Sequence, residues 1–303
     1  MSPLSSLHAL QGLRALLCGF AQIFLQQHPG CGLLVLLAIL LGAPDLLGGA
    51  LLGGLASMLV AQRRGYAQAD IAIGLYGYNG ILLGLLLSLK LAWTPLLPLL
   101  IVTGAGLSSL LLAPWMRRMR EHGWLPAFTL PFVLLGWALL ALVAPLGLPA
   151  APPVAAPATP ELAPLELLLA VLRGLGQVIF LDAPLAGLTL LFGLLLADRR
   201  TALWAVLGSS AGLALLQGWP SDDALAGLHG YNASLAAIAL AQVQRNPIAP
   251  LCGLLLALLL QPGFAALGIP ALTMPFILAC WLVRVSAQRW RQAVQDSAPF
   301  GQG

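Results

Sequence analysis

GLYGYNGILLG, residues 74–84, returns about 150 residues further on as GLHGYNASLAA, residues 227–237. Two other segments recur in the same order around this pair. LPAFTLPF (125–132) returns as IPALTMPF (269–276). Gln22-Ile23-Phe24-Leu25, followed by Pro29 and Gly32, returns as Gln177-Val178-Ile179-Phe180, followed by Pro184 and Gly187. Three matches in order at a common offset are the mark of an internal duplication, each copy being one structural unit. The chain therefore divides into a first repeat, 1–146, a Pro/Ala-rich connector, 147–161, which is uncharged from Leu148 to Pro160, and a second repeat, 162–303.

Of the 303 residues, 60% are hydrophobic and 8% charged, with a mean hydropathy of +0.94. Soluble domains carry roughly 25% charged and about 45–50% apolar residues, so this chain cannot cover a water-facing surface of ordinary composition. A soluble enzyme, a disordered protein and a nucleic-acid binder are excluded. The formal charge of +4 is scattered along the chain and forms no basic stripe. Cys18, Cys31, Cys252 and Cys280 show no CxxC or Cys/His spacing and read as small buried hydrophobes, not as a zinc site or a disulfide frame. The first apolar stretch, from Leu7, is interrupted by Arg14 and Gln22 and lacks a cleavage site, so it does not read as a signal peptide. There is no P-loop, and no cofactor is expected. The class that remains is an all-α polytopic membrane protein.

Each repeat offers six apolar windows: 7–25, 31–43, 46–61, 71–90, 92–113 and 125–146, then 162–181, 185–197, 201–218, 224–243, 247–266 and 269–286. If all six crossed the bilayer, the arginines at 63, 64, 117, 118 and 120 would lie opposite the N-terminus. If the first window of each repeat enters and leaves by one face, the repeats carry five spans each and are inverted. Those arginines then join Arg199, Arg200, Arg245 and the 284–291 cluster on one side, leaving Lys90 and Arg173 near the other. The positive-inside rule selects this arrangement, with both termini cytoplasmic. Inverted repeats with interrupted helices place a substrate path at the repeat interface, near the midplane.

The proposed spans hold no Asp or Glu; Asp45, Asp70, Glu121, Asp198, Asp222 and Asp223 fall at edges or loops. Ion-coupled carriers generally keep intramembrane carboxylates, so their absence argues for passive permeation of a neutral solute. The polar groups inside come as pairs, Gln22/Gln177, Thr129/Thr273 and Asn79/Asn232, accompanied by Leu25, Phe180, Tyr78, Tyr231, Leu82 and Leu235. Amides and hydroxyls both donate and accept, which suits a small polar molecule. Pro131 and Pro275 cannot donate to the carbonyls of Ala127 and Ala271, so each Thr-x-Pro break is expected to leave one free acceptor beside a threonine hydroxyl. Asn79 and Asn232 also read as cross-links between helices, Tyr78 and Tyr231 as packing aromatics, and His229 as a structural histidine.

At these residues the sequence resembles the urea transporter family. GLYGYNGILLG and GLHGYNASLAAIAL are similar to its paired signature, LPAFTLPF and IPALTMPF to its Thr-Pro-Phe segments, and GFAQIF and GLGQVIF to its re-entrant glutamine segments. The resemblance runs from about residue 10 to residue 286. It implies a homotrimer in a bacterial inner membrane, with one urea channel per subunit. Carried over residue by residue, it implies oxygen-facing threonines at Thr129 and Thr273 and slot glutamines at Gln22 and Gln177. The slot walls would be Leu25, Tyr78, Leu82, Phe180, Tyr231 and Leu235. Leu25 and Ile179 stand where the family often carries an aromatic residue. Two other readings compete. One is a channel for ammonia, water or short amides, but His28, His122 and His229 form no helical pair. The other is an intramembrane enzyme built on Asp182 with His229 or Glu166, for which no nucleophile or metal set clusters.

Overall fold

The computed structural model describes residues 3–151, 164–213 and 225–297, and these are helical apart from turns and one isolated bridge between Leu91 and Ala150. The first half runs α1 (Pro3–Gln22), α2 (Pro29–Gly42), α3 (Leu47–Arg63), the short α4 (Gln68–Ala72), α5 (Tyr78–Lys90), α6 (Leu96–His122) and α7 (Leu130–Val143). The second runs α8 (Pro164–Gly176), α9 (Pro184–Ala197), α10 (Arg199–Leu213), α11 (Tyr231–Val243), α12 (Ile248–Ala266) and α13 (Met274–Ser297). Most of the expected connector, along with Asp222 and Asp223, lies outside the described residues. Prolines open α2 and α9 and stand second in α7 and α13. The first turn of a helix has no intrahelical use for an N–H, so proline costs nothing there.

Many large apolar side chains point outward. Leu33 and Leu40 on α2, Leu99 and Leu111 on α6, Phe192 on α9 and Leu255 and Leu259 on α12 are all exposed. Small residues point inward. A Cβ on Gly53 of α3 would sit 2.0 Å from the Gly80 carbonyl oxygen of α5, and one on Gly84 of α5 would sit 1.9 Å from the Gly49 carbonyl oxygen of α3. In water the first pattern would be a liability. In lipid, close backbone approach through small residues is how helices hold one another, and leucine faces the acyl chains. Pro44–Arg63, α6 and α12 are long and apolar enough to cross a membrane. The segment Pro164–Ile179 joins α9 through a 77° bend, as a broken span or re-entrant loop does. α2, α5, α7 and α11 are shorter apolar helices. The protein is a multi-pass membrane protein.

Several apolar windows are not single helices. The window 71–90 is helical continuously only from Tyr78, and 125–146 only from Leu130. Gly74 (φ +79°) and Gly227 (φ +79°) turn the chain before α5 and α11. Each turn presses on the helix that leads into a glutamine segment: a Cβ on Gly74 would lie 2.2 Å from the Gly19 nitrogen of α1, and one on Gly227 2.3 Å from the Gly174 nitrogen of α8. Only glycine meets both demands. The repeated GlyLeu-x-GlyTyrAsn motif is thus first a packing device that leans the GYN helices on the glutamine segments.

Candidate functional site

The glutamines at the end of α1 and directly after α8 are anchored at this contact. Gln22 Nε2 donates to the Ile73 carbonyl at 2.9 Å, and Gln177 Nε2 to the Ala226 carbonyl at 3.0 Å. Beyond them the chain reverses at Leu25 (φ 60°) and Phe180 (φ 63°), two non-glycine residues in the left-handed region. That conformation is costly for residues of this kind and is held only where the surroundings over-determine it.

A second left-handed pair lies at Phe128 (φ 46°) and Leu272 (φ 44°). Here the structure corrects one expectation. The carbonyls of Ala127 and Ala271 are not free: they accept the Leu130 and Met274 N–H groups, each at 3.0 Å. The prolines do not interrupt a helix but start one, so a tight turn closes over the residue before each threonine. The carbonyls displaced from helical pairing are those of Phe128 and Leu272. Tyr78 Oη donates to the first at 2.5 Å and Tyr231 Oη to the second at 2.7 Å. The asparagines cross-link helices, as one of the two readings had it: Asn79 Oδ1 accepts the Phe132 N–H at 3.1 Å and Asn232 Oδ1 the Phe276 N–H at 3.3 Å.

These turns bring the two threonines together. Thr129 Oγ1 and Thr273 Oγ1 are hydrogen-bonded at 2.7 Å, both side chains buried. The two Thr-Pro-Phe segments are also braced crosswise, with Trp137 Nε1 donating to the Pro270 carbonyl and Trp281 Nε1 to that of Pro126, each at 2.9 Å. The sequence reading missed these tryptophans, although each stands six positions after its proline (131 to 137, 275 to 281).

Cavities lie at opposite ends of α11. A larger one, about 970 Å³, is lined by Gln177, Phe180, Tyr231 and Leu272, with Asp45, Asp182 and Lys90 at its polar margin. A smaller one, about 160 Å³, is lined by Pro126, Phe128, Val243, Gln244, Cys280 and Arg284. Tyr231 opens α11 and Val243 closes it, so the helix runs from one cavity to the other. Of the expected slot residues, Gln177, Phe180 and Tyr231 meet in the larger cavity. Leu25 is half-buried and line neither cavity, its carbonyl accepting from Gln242 Nε2 at 2.9 Å. Gln22, Tyr78, Leu82 and Leu235 are buried and lie in neither cavity. Among the described residues no group of three His, Cys, Asp or Glu side chains could hold a metal ion.

The urea transporter family model matches residues 13–288. Urea transporter 1 of Ovis aries is 29% identical over 297 residues, covering 90% of this chain and 77% of the relative. Urea transporter 1 of Rattus norvegicus is 29% identical over 301 residues, covering 90% and 76%. With a match running through both copies of the motif, the glutamine segments and the threonine pair, the chain belongs to the urea transporter family.

Proposed function

We propose that this chain conducts urea passively along a path from the larger cavity, past Thr129 and Thr273, to the smaller one. The observation that carries the reading is the buried threonine pair between two cavities at opposite ends of one helix. Urea offers four N–H donors and one carbonyl acceptor. The threonine hydroxyls can exchange their mutual bond for one to the urea oxygen, and the Phe128 carbonyl, which accepts only from Tyr78 among the described residues, keeps a lone pair for an N–H. Slot residues Gln177, Phe180 and Tyr231 receive the solute on the larger side, and Gln22, Leu25, Tyr78, Leu82 and Leu235 form the walls beyond.

In this reading residues 1–146 and 162–303 are inverted repeats of five spans and one re-entrant segment each, joined by 147–161. The bend between α8 and α9 and the doubled hydrogen bonds of the two halves support it. The protein is a homotrimer in a bacterial inner membrane, with both termini in the cytoplasm, and it catalyses no reaction. The test is stopped-flow light scattering of proteoliposomes given an inward urea gradient. Urea entry well above that of protein-free vesicles is expected; entry equal to theirs overturns the proposal.

A further inference from the structure

The two asparagines of the GlyTyrAsn motifs are bonded alike through Oδ1 but not through Nδ2. Asn232 is fully engaged: its Nδ2 donates to Gln261 Oε1 and to the Leu272 carbonyl, each at 3.1 Å. Gln261 in turn donates through Nε2 to the Leu228 carbonyl. In the first half the corresponding atom, Asn79 Nδ2, is buried and has no hydrogen-bond partner among the described residues. Counting from Pro98 in α6 and Pro250 in α12, the position held by Gln261 is held by Ser109. Serine is too short to span the gap; its hydroxyl donates instead to the Ser57 carbonyl at 2.9 Å. The Leu272 carbonyl thus has both lone pairs taken, by Tyr231 and Asn232, while the Phe128 carbonyl has one.

We infer that Gln261 is a positioning residue for the permeation path: acting through Asn232, it fixes the Leu272–Thr273 side of the threonine pair and leaves the Phe128–Thr129 side to answer the solute. The inference rests on the threonine pair being the urea path. A chain of hydrogen bonds in a buried site is stiff only when every member is satisfied. The second half meets that condition from the Leu228 carbonyl to the Leu272 carbonyl, and the first does not. A solute crossing the pair therefore meets one side that keeps its geometry and one that yields. Discrimination between urea and bulkier or weaker-accepting relatives depends on the side that keeps it.

The experiment compares influx of urea and of N-methylurea into proteoliposomes holding Gln261→Met or Gln261→Glu. Methionine keeps the length and removes both bonds. A glutamate buried there holds its proton and can both donate and accept. Gln261→Met is expected to slow urea by roughly three- to tenfold and to lower the urea-to-methylurea ratio, as loss of a buried partner does. Gln261→Glu is expected to keep the parental ratio. Parental rates and ratio in Gln261→Met overturn the inference. So does a lower melting temperature with an unchanged ratio, since that marks a residue that only holds the fold. A glutamate variant as impaired as the methionine one overturns it as well. If the methionine variant does not assemble, Gln261→Asn, which keeps the amide but shortens it, carries the same comparison. Thr273→Val in the same assay separates the two levels: parental conduction there removes the path itself, whereas a slowed Thr273→Val beside a parental Gln261→Met removes only the role of Gln261.

Discussion

Thr129 and Thr273 hold one another at 2.7 Å in a buried setting, so on the proposed path urea passes by taking over what each gives the other. Valine keeps the shape and removes the hydroxyl. Each single variant, Thr129→Val and Thr273→Val, is expected to slow urea entry, and the double variant to slow it more. A stranded buried polar group costs roughly 1–3 kcal/mol, and if all of that falls on the barrier the rate drops by about five- to 150-fold. Both singles should elute as the parent does in size-exclusion chromatography. If both conduct like the parent, the threonines serve the structure alone. The tyrosines answer to a different test. Tyr231→Phe leaves the Leu272 carbonyl with the Asn232 amide as its donor, whereas Tyr78→Phe leaves the Phe128 carbonyl with no donor among the described residues. Urea flux should accordingly suffer more from Tyr78→Phe. Equal losses in the two would place the hydroxyls outside the path.

Elements pack here through glycine, and the penalty for a methyl group depends on what stands beside it. Gly65 (φ +68°) has open space around its Cβ position, while Gly74 (φ +79°) would drive a Cβ to 2.2 Å from the Gly19 nitrogen. Both substitutions to alanine incur about 1–2 kcal/mol for left-handed backbone. Only Gly74→Ala must also push α1 away from the turn, so it should lower the melting temperature more and reduce assembled protein. The helix start at α10 gives a pH test. Asp198 accepts from the Thr201 N–H at 2.7 Å and the Thr201 hydroxyl at 2.6 Å, and the hydroxyl bond holds its carboxyl below the usual value. A depressed acid stabilises the fold above its unfolded pKa, and that contribution fades as pH falls through the folded value. Thermal melts of Asp198→Asn should therefore be less pH-sensitive across the acid range than those of the parent. The motif spacing made the glutamine segments and the threonine pair legible in the sequence, because both are local and doubled. It misplaced by one residue the carbonyl released from helical pairing, because the left-handed turn at Phe128 and Leu272 is set by what packs around it and not by residue type. Gln261 was invisible for the opposite reason: it is not doubled, and a glutamine in an apolar helix announces no partner.

Among the described carboxylates, Asp45 and Asp182 line the larger cavity, and Asp70 is paired with Arg120 at 2.8 Å. With only amides, hydroxyls and apolar walls assigned to the proposed path between the cavities, urea entry should be unaffected by collapsing a sodium or proton gradient while the urea gradient is kept. Flux that stops under that treatment would show coupling. Single cysteines in a cysteine-free background test the inverted arrangement: positions 148–151 should label from outside, and positions beside Arg117 and Arg199 only from inside. The all-helical, lipid-facing character was readable from composition, but where helices begin within the apolar windows was not, since turns at Gly74, Phe128 and Gly227 shorten them. The two ends of α11, the mouths of the proposed path, are unlike: one cavity is about 970 Å³ and lined by Asp45 and Asp182, the other about 160 Å³ and lined by Arg284. A difference of that kind looks as if it should make a valve. It cannot, because detailed balance ties the forward and backward rate constants of an uncoupled path to the same standard-state free energy on both sides. The mouths can set how long urea waits at each door and at what concentration each door fills. Which way it walks is left to the cell: one that consumes urea inside would draw it in through the same opening by which one that makes it would let it go.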